Sequence, residues 1–190
     1  MALKIKKDKH LTAAEYLAFE ENAEFRNEFD SGTIIAMSGG SFSHARIINN
    51  VDRLLAERLN EECQSITNDL KVGIEKQNKF YYPDLMVICG EPKFQRKRDD
   101  TIENPVLIIE VLSKSTEARD RGEKMLGYRG LDSLKEYVLI SQDKAIVEQY
   151  SKDGTGNWIH KATIGIQSKV FLESIEVELT LEEIYKKIKL

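Results

Sequence analysis

The 190-residue chain has few of the features that mark several classes of protein. With two cysteines and three prolines, it has neither a disulfide-rich scaffold nor a proline-rich linker. No apolar run approaches the ~20 residues that cross a bilayer, so we expect no contact with a membrane. No apolar segment follows the basic start MALKIKKDKH, which favours a cytoplasmic protein without a signal peptide.

Cys63 and Cys89 do not have the spacing of a metal-binding pair. The patterns around them place Cys63 at the end of a helix and Cys89 in a core strand. In the reducing compartment expected for this protein, two free and partly buried thiols are the favoured interpretation over a disulfide.

The chain also lacks an excess of positive charge, since its 28 Lys and Arg residues are outnumbered by 32 Asp and Glu residues, the net charge is −4 and the pI is near 5.6. This balance argues against a surface coated in positive charge for nonspecific binding to nucleic acid. The segment KFQRKR is locally basic and contains Lys93, Arg96, Lys97 and Arg98. A solvated loop, partly neutralised by the two aspartates that follow, is the simpler interpretation, and a loop that contacts phosphates is the alternative.

Hydrophobic residues make up 41% of the chain and charged residues 32%, which suits one domain over residues 1–190. The first predicted helix begins at an N-cap, Thr12, and the second at an N-cap, Ser43. Between them, Asp30-Ser31-Gly32 predicts the turn of a hairpin. Further strands are predicted at about 70–76, 79–89, 105–113, 136–141, 146–151 and 157–164, and further helices over 115–131 and 181–190. This order predicts an α/β fold in which one mixed sheet is flanked by helices.

Two acidic residues lie in strands that are otherwise apolar. Asp84 is in FYYPDLMVIC and Glu110 is in VLIIEVL. A buried carboxylate costs free energy unless it is compensated, and one lysine could compensate either acid alone. Two acids on neighbouring strands would repel each other unless a cation lay between them, and Mg²⁺ prefers such oxygen ligands. The pattern therefore indicates a metal site.

A third element follows Glu110 in the chain. Asp120, Lys124 and Tyr128 recur at every fourth residue and therefore share one face of the predicted helix. A solvent-facing Asp–Lys pair is the simpler interpretation. The alternative places the Lys124 ammonium beside the metal site, where it would orient water and offset charge on a phosphate.

The order PD, EVLSKST, D-x-x-x-K-x-x-x-Y and EYV resembles a bacterial family of restriction endonuclease-like proteins that is abundant in cyanobacteria. This family is a branch of the PD-(D/E)XK nuclease superfamily. The resemblance implies a restriction endonuclease-like core with a mixed central sheet, an N-terminal helix and a hairpin. It also implies that Asp84, Glu110 and the backbone carbonyl of Val111 bind Mg²⁺ or Mn²⁺. Leu112 occupies the usual lysine position, so the catalytic lysine is expected to be Lys124, with Lys114 as its rival.

The same resemblance adds candidates to the metal environment. Glu28 matches an acid that recurs in the family's hairpin and would complete the metal environment, and the alternative is an ordinary exposed strand glutamate. His44 at the start of the second helix resembles a histidine that binds metal in related branches, and the alternative is a hydrogen-bonded structural role. Asp120 is expected to hold Lys124 in place, and Tyr128 to pack beside the site. The implied activity is hydrolysis of DNA phosphodiester bonds, and a homodimer is expected because cutting both strands generally needs two active sites. The alternatives are a non-catalytic nucleic-acid-binding or interaction module and an enzyme that acts on RNA or small nucleotides.

Overall fold

Two mixed β-sheets form the centre of the fold, and helices pack against them. The computed structural model describes residues 10–37, 39–67, 69–95 and 98–190. The helices are α1 (Ala13–Glu20), α2 (Phe42–Arg58), α3 (Glu117–Arg119), α4 (Met125–Tyr128) and α5 (Leu181–Ile184). A π-helical turn, Asp120–Lys124, joins α3 to α4, and we call residues 117–128 the lysine helix. A 3₁₀ turn occupies Glu75–Gln77.

The strands of the larger sheet run in the order β11-β10-β9-β8-β6-β3, and those of the smaller sheet in the order β2-β1-β5-β4-β7. Strands β8 and β9 are parallel, as are β4 and β7, and the other neighbouring strands are antiparallel. A separate hairpin consists of β12 and β13. The bounds are β1 Asn27–Asp30, β2 Thr33–Ala36, β3 Cys63–Thr67, β4 Lys71–Ile74, β5 Lys79–Tyr81, β6 Leu85–Cys89, β7 Thr101–Ile102, β8 Leu107–Leu112, β9 Glu136–Ser141, β10 Ile146–Lys152, β11 Trp158–Ile164, β12 Lys169–Leu172 and β13 Val177–Thr180.

The predicted α/β class with mixed sheets and flanking helices is confirmed, but the strands do not form one sheet. The predicted strand over 79–89 is wrong because it is two strands, β5 in the smaller sheet and β6 in the larger one. Pro83 and Asp84 lie between them. Since proline has no backbone N–H to donate to a ladder, the pairing is interrupted there and the chain passes from one sheet to the other.

Alternation along the central strands divides the core into layers. In β8, Ile109 and Val111 face the cluster that includes α2 and the C-terminal hairpin, whereas Ile108 and Leu112 face the cluster between the larger sheet and the lysine helix. Glu110 shares the parity of Ile108 and Leu112, so the strand directs its carboxylate toward the lysine helix. A third cluster packs α1 against the hairpin of β1 and β2.

The cysteine prediction is wrong, because Cys63 and Cys89 form a disulfide. The predicted helix end at Cys63 is instead strand β3, which pairs with β6 in a register that sets the two residues directly opposite each other. The N-cap of α2 is Ser41 rather than Ser43, since the Ser41 side chain accepts the hydrogen bond from the backbone N–H of His44.

The other predicted helix and turn signals agree with the structure. Thr12 caps α1 with a capping box, and the first hairpin turns at Ser31 and Gly32, both with positive φ. Strands β3, β7, β12 and β13 were not predicted by any pattern. In the described residues no helix is long and apolar enough to cross a membrane.

Candidate active site

Asp84, directly before β6, and Glu110, in the neighbouring strand β8, lie at the base of a cleft. Leu85 pairs with Ile109 across β6 and β8, which brings the residues just beyond this pair, Asp84 and Glu110, side by side. Asp84 Oδ2 accepts a 2.7 Å hydrogen bond from the backbone N–H of Val111. This contact joins the chain before β6 to the strand that carries Glu110 and fixes the position of the Asp84 carboxylate.

The lysine helix covers the buried Glu110 side chain. Lys124 Nζ is 2.5 Å from Glu110 Oε1, and the Tyr128 hydroxyl donates to the same oxygen at 3.1 Å. Lys124 is also 3.6 Å from Asp120 Oδ1, one turn earlier. The shared face expected for Asp120, Lys124 and Tyr128 therefore points into the protein, so the alternative of a solvent-facing Asp–Lys pair is wrong. Asp120 and Lys124 are the first and last residues of the π-helical turn, and such turns are frequent at functional sites.

Glu28 on β1 is the third buried acid of the site. Its Oε1 accepts a 3.0 Å hydrogen bond from the backbone N–H of Tyr82 and lies 3.3 Å from Lys124 Nζ. Its Oε2 is paired with the guanidinium of Arg119. Glu28 thus joins the hairpin, the segment between β5 and β6, and the lysine helix, and the interpretation of an ordinary exposed strand glutamate is wrong.

Arg119 is a site residue that sequence reasoning missed. Its guanidinium pairs with Glu28 and lies 5.4 Å from the ring centre of Tyr81. Two of its nitrogens, Nε and Nη2, are buried without a hydrogen-bond partner. The segment EARDRGEK gives no signal that separates Arg119 from Arg121, which pairs instead with Glu148 on the outer part of the sheet.

The site contains more carboxylates than cations. Burial raises the pKa of Glu110 well above its usual value, Lys124 opposes this, and the charges of Asp84, Asp120 and Glu28 add to it. Burial lowers the pKa of Lys124, but its carboxylate neighbours outweigh that effect and raise the pKa well above the usual value. Burial likewise raises the pKa of Glu28, but Lys124 and Arg119 outweigh it and lower the pKa. Lys124 therefore keeps its proton, whereas Glu110 binds a proton more readily than an ordinary glutamate, because the described cations do not fully offset the negative charge of the acids around it.

His44 approaches the same acids from the start of α2. Its Nε2 is 3.1 Å from Asp84 Oδ2. Burial lowers the pKa of His44, but the hydrogen bond and charge of Asp84 and a backbone hydrogen bond with Val111 raise it above the usual value. The imidazole nitrogen thus lies against the carboxylate and the residue that the family resemblance assigns to a metal ion.

The donor set fits a hard divalent cation better than a soft one. Asp84, Glu110 and the Val111 carbonyl offer oxygen ligands, and the surplus of carboxylates around Glu110 would be offset by a cation. Within 10–37, 39–67, 69–95 and 98–190, no three His, Cys, Asp or Glu side chains are grouped so that they could hold a metal ion. A cation here would accordingly depend on the two acids and backbone oxygen, with further ligands from water or substrate.

The cleft has a volume of about 550 Å³ and is open to solvent. Its floor includes the acids described above, and its rim includes Gly39, Ser41, Ser113, Lys114 and Gln142. Lys114 is exposed on this rim, and Lys124 rather than Lys114 contacts Glu110.

Lys93 and Arg98, the described cations of the basic segment after β6, lie away from the cleft. Arg98 pairs with Asp100 at 2.7 Å and with Glu21 at 2.9 Å, so its charge is already offset within the protein. Lys93 lines a different cavity, beside the 3₁₀ turn. Arg96 and Lys97 lie outside the described residues. The structure therefore does not bring Lys93 or Arg98 to the cleft.

Known proteins resemble this chain along most of its length. The chain matches, over residues 13–185, the family described as "Uma2: Putative restriction endonuclease". Two uncharacterised proteins of Synechocystis sp., sll1609 and slr1290, are 38% and 33% identical to it over 177 residues. Each alignment covers 93% of this chain, and 96% and 92% of the respective relatives.

A crystal structure from Anabaena variabilis shares the fold. It is described as "a putative nuclease belonging to DUF820", and it matches this chain with a TM-score of 0.72 at 16% sequence identity. The match covers 92% of this chain and 97% of the Anabaena chain. The Anabaena structure shows the fold, and the family match over residues 13–185 confirms the expected resemblance: the chain belongs to the Uma2 family.

Proposed function

We propose that this protein is a metal-dependent endonuclease that hydrolyses phosphodiester bonds in DNA. The proposal is based on one observation. Asp84, Glu110 and Lys124 come from three separate segments of the chain and lie together at the floor of one open cleft. Buried charged groups with strongly shifted pKa values in a cleft are typical of catalytic sites. The description of the Uma2 family is "Putative restriction endonuclease", and the Anabaena protein of the same fold is described as "a putative nuclease".

In this proposal, Asp84, Glu110 and the Val111 carbonyl hold Mg²⁺ or Mn²⁺. When bound, such an ion lowers the pKa of a coordinated water and neutralises charge on a phosphate. Lys124 keeps its proton beside Glu110, where the ammonium orients the attacking water and stabilises negative charge that develops on the phosphate. Asp120 and Glu28 hold the lysine in this position, and Arg119 holds Glu28.

The test is a nuclease assay on supercoiled plasmid, linear duplex and single-stranded DNA, and on RNA, with Mg²⁺, Mn²⁺ or EDTA. We expect cleavage of DNA that needs the ion and that is lost in Asp84→Asn and Glu110→Gln, both nearly isosteric changes. Asp132→Asn is the matched control, because Asp132 is an exposed acid that pairs with Lys76 away from the cleft. Cleavage that persists in both site variants, or that is insensitive to EDTA, would refute this assignment. Linear rather than nicked product would favour a dimer, because each strand needs its own site.

A second candidate is a non-catalytic module that binds nucleic acid or another protein. It is favoured by the net charge of −4 and by the lack, in the described part of the chain, of a group of three acid, histidine or cysteine side chains placed to hold a metal. A calorimetric titration with Mn²⁺ separates the two. Saturable binding that is lost in Asp84→Asn supports the enzyme, and the absence of a saturable site in the wild-type protein supports the module.

A further inference from the structure

A large aromatic side chain lies exposed on the residue between Ser41 and Ser43, both of which line the cleft. Phe42, the first residue of α2, has 74% of its surface open to solvent. Arg46 follows one helical turn later, and its guanidinium carbon is 5.7 Å from the centre of the Phe42 ring. Arg46 forms no ion pair or hydrogen bond with any described residue, so its charge and its donors are available to a ligand.

The backbone around Phe42 is fixed. The Ser41 side chain caps α2 and donates a 2.6 Å hydrogen bond to Gln142 after the end of β9. A side chain at position 40 would meet the His44 ring, since a Cβ there would lie 2.8 Å from Nδ1, and glycine allows this close approach. Ser41 and His44 both line the cleft. Phe42 does not itself line the cleft, but these contacts of its neighbours fix its backbone next to residues that do.

Charge at this edge is complementary to a nucleic acid strand. The floor of the cleft is rich in carboxylates, which repel phosphates, so a bound strand needs cations beside the floor. Arg46 next to Phe42 and Lys114 on the rim are cations without a carboxylate partner among the described residues. An exposed aromatic ring beside a free guanidinium is the combination that binds one base by stacking and its phosphate by charge.

We propose that Phe42 and Arg46 form a subsite for one nucleotide of the DNA strand, with its unpaired base stacked on Phe42 and its phosphate bound by Arg46. This subsite rests on the proposed function and specifies the form of DNA that it binds. Bases within a duplex stack on one another and do not offer a free face to Phe42. The subsite therefore favours single-stranded DNA, overhangs or frayed ends over intact duplex.

The experiment measures binding by fluorescence anisotropy in EDTA, so that the DNA stays intact. The probes are a labelled single-stranded oligothymidylate, a strand of the same length with abasic sites, and a blunt duplex. The variants are Phe42→Ala, Phe42→Trp and Arg46→Gln. Phe25→Ala is the matched control, because Phe25 is 71% exposed and lines a different cavity.

We expect Phe42→Ala to weaken binding of the oligothymidylate about tenfold, which is the size of effect typical of one base stacked on an aromatic ring. Phe42→Trp keeps the ring and should bind at least as tightly as the wild type. Phe25→Ala should be unchanged, and Phe42→Ala should bind the abasic strand as the wild type does. Arg46→Gln should weaken binding of both single strands. It should also reduce the slope of log binding constant against log salt concentration by about the amount expected for one phosphate contact.

Three results would overturn the subsite. They are unchanged binding in Phe42→Ala, an equal loss on the thymidylate and abasic strands, and a change in oligomeric state of Phe42→Ala by light scattering, which would make Phe42 a contact between copies. The proposed function fails separately. If the wild type binds the strand with the expected dependence on Phe42 but cleaves no DNA with any metal, the subsite stands and the nuclease does not. If the wild type binds none of the three probes in EDTA, the subsite is wrong, and the cleavage assay with metal decides the proposed function by itself.

Discussion

Replacing Lys124 by methionine tests whether the site is held together by its charges. The ammonium is buried and lies within 4 Å of Glu110, Glu28 and Asp120. Methionine keeps much of the length of the side chain but removes the charge, which leaves Arg119 to offset the buried acids around it. Breaking a buried ion pair by removing one partner typically costs about 3–5 kcal/mol. We therefore expect the free energy of unfolding of Lys124→Met to fall by about 3–5 kcal/mol at neutral pH.

Replacing Glu110 by glutamine should have a very different effect. Lys124 keeps Glu28 and Asp120 as partners, and the amide oxygen can still accept from the Tyr128 hydroxyl. The change also removes one carboxylate from a site that has too many, where burial already raises the pKa of Glu110. We expect the free energy of unfolding to be unchanged or raised by about 1 kcal/mol, the equivalent of less than one pKa unit.

Urea unfolding followed by circular dichroism measures both changes, and the double variant completes the cycle. If the acids and the lysine are coupled as the distances indicate, Lys124→Met costs less in the Glu110→Gln background than in the wild type, by at least about 1 kcal/mol. Equal costs in the two backgrounds would mean that the 2.5 Å contact does not contribute to stability. A Glu110→Gln variant as unstable as Lys124→Met would refute the inference that the site has excess negative charge.

Three further predictions concern other parts of the site and fold. Mn²⁺ at 100 times its dissociation constant should stabilise the wild type by about 2.7 kcal/mol in thermal melts, and Asp84→Asn should lose this effect; an equal shift in both proteins would contradict the metal assignment. His44 has a pKa raised above 6.5, so its pairing with Asp84 stabilises the fold below about pH 6.5 and is lost as the pH rises through the raised value. The difference in melting temperature between the wild type and His44→Gln should therefore shrink from pH 6 to pH 9, and a constant difference would contradict it. Reduction of the Cys63–Cys89 disulfide, separated by 26 residues, should lower the free energy of unfolding by about 3 kcal/mol in urea, with no further effect of reductant on Cys63→Ser.

The local signals of the sequence predicted the helices and hairpin well, and the sheet arrangement less well. Thr12 and the Asp30-Ser31-Gly32 turn act through neighbours in the chain, so their chemistry is visible in a short window. The division of the strands between two sheets depends on pairings between distant residues. The strand pairing is interrupted at Pro83. Which sheet β6 joins, however, is decided by its pairing with β3 and β8, and a local pattern does not specify that pairing.

The disulfide was missed for the same reason. The pattern around Cys63 indicates a helix end, and only the pairing of β3 with β6 sets Cys63 opposite Cys89. In the site, the two acids were found because a carboxylate in an apolar strand is a local anomaly. Arg119 was missed because an arginine in a charged helix is ordinary, and its burial follows only from the contact of that helix with β1.

The geometry of β8 explains how a site can keep a lysine while the strand has leucine at the usual position. Leu112 follows Glu110 by two residues and so shares its face, where it packs in the core cluster beneath the lysine helix. Lys114 would share that face if the strand continued, but β8 ends at Leu112 and alternation ends with it. The lysine helix then returns over the same face and places Lys124 Nζ 2.5 Å from Glu110. The Lys124 ammonium thus comes from the overlying helix rather than from the strand itself. Leu112 packs in the cluster that supports this helix.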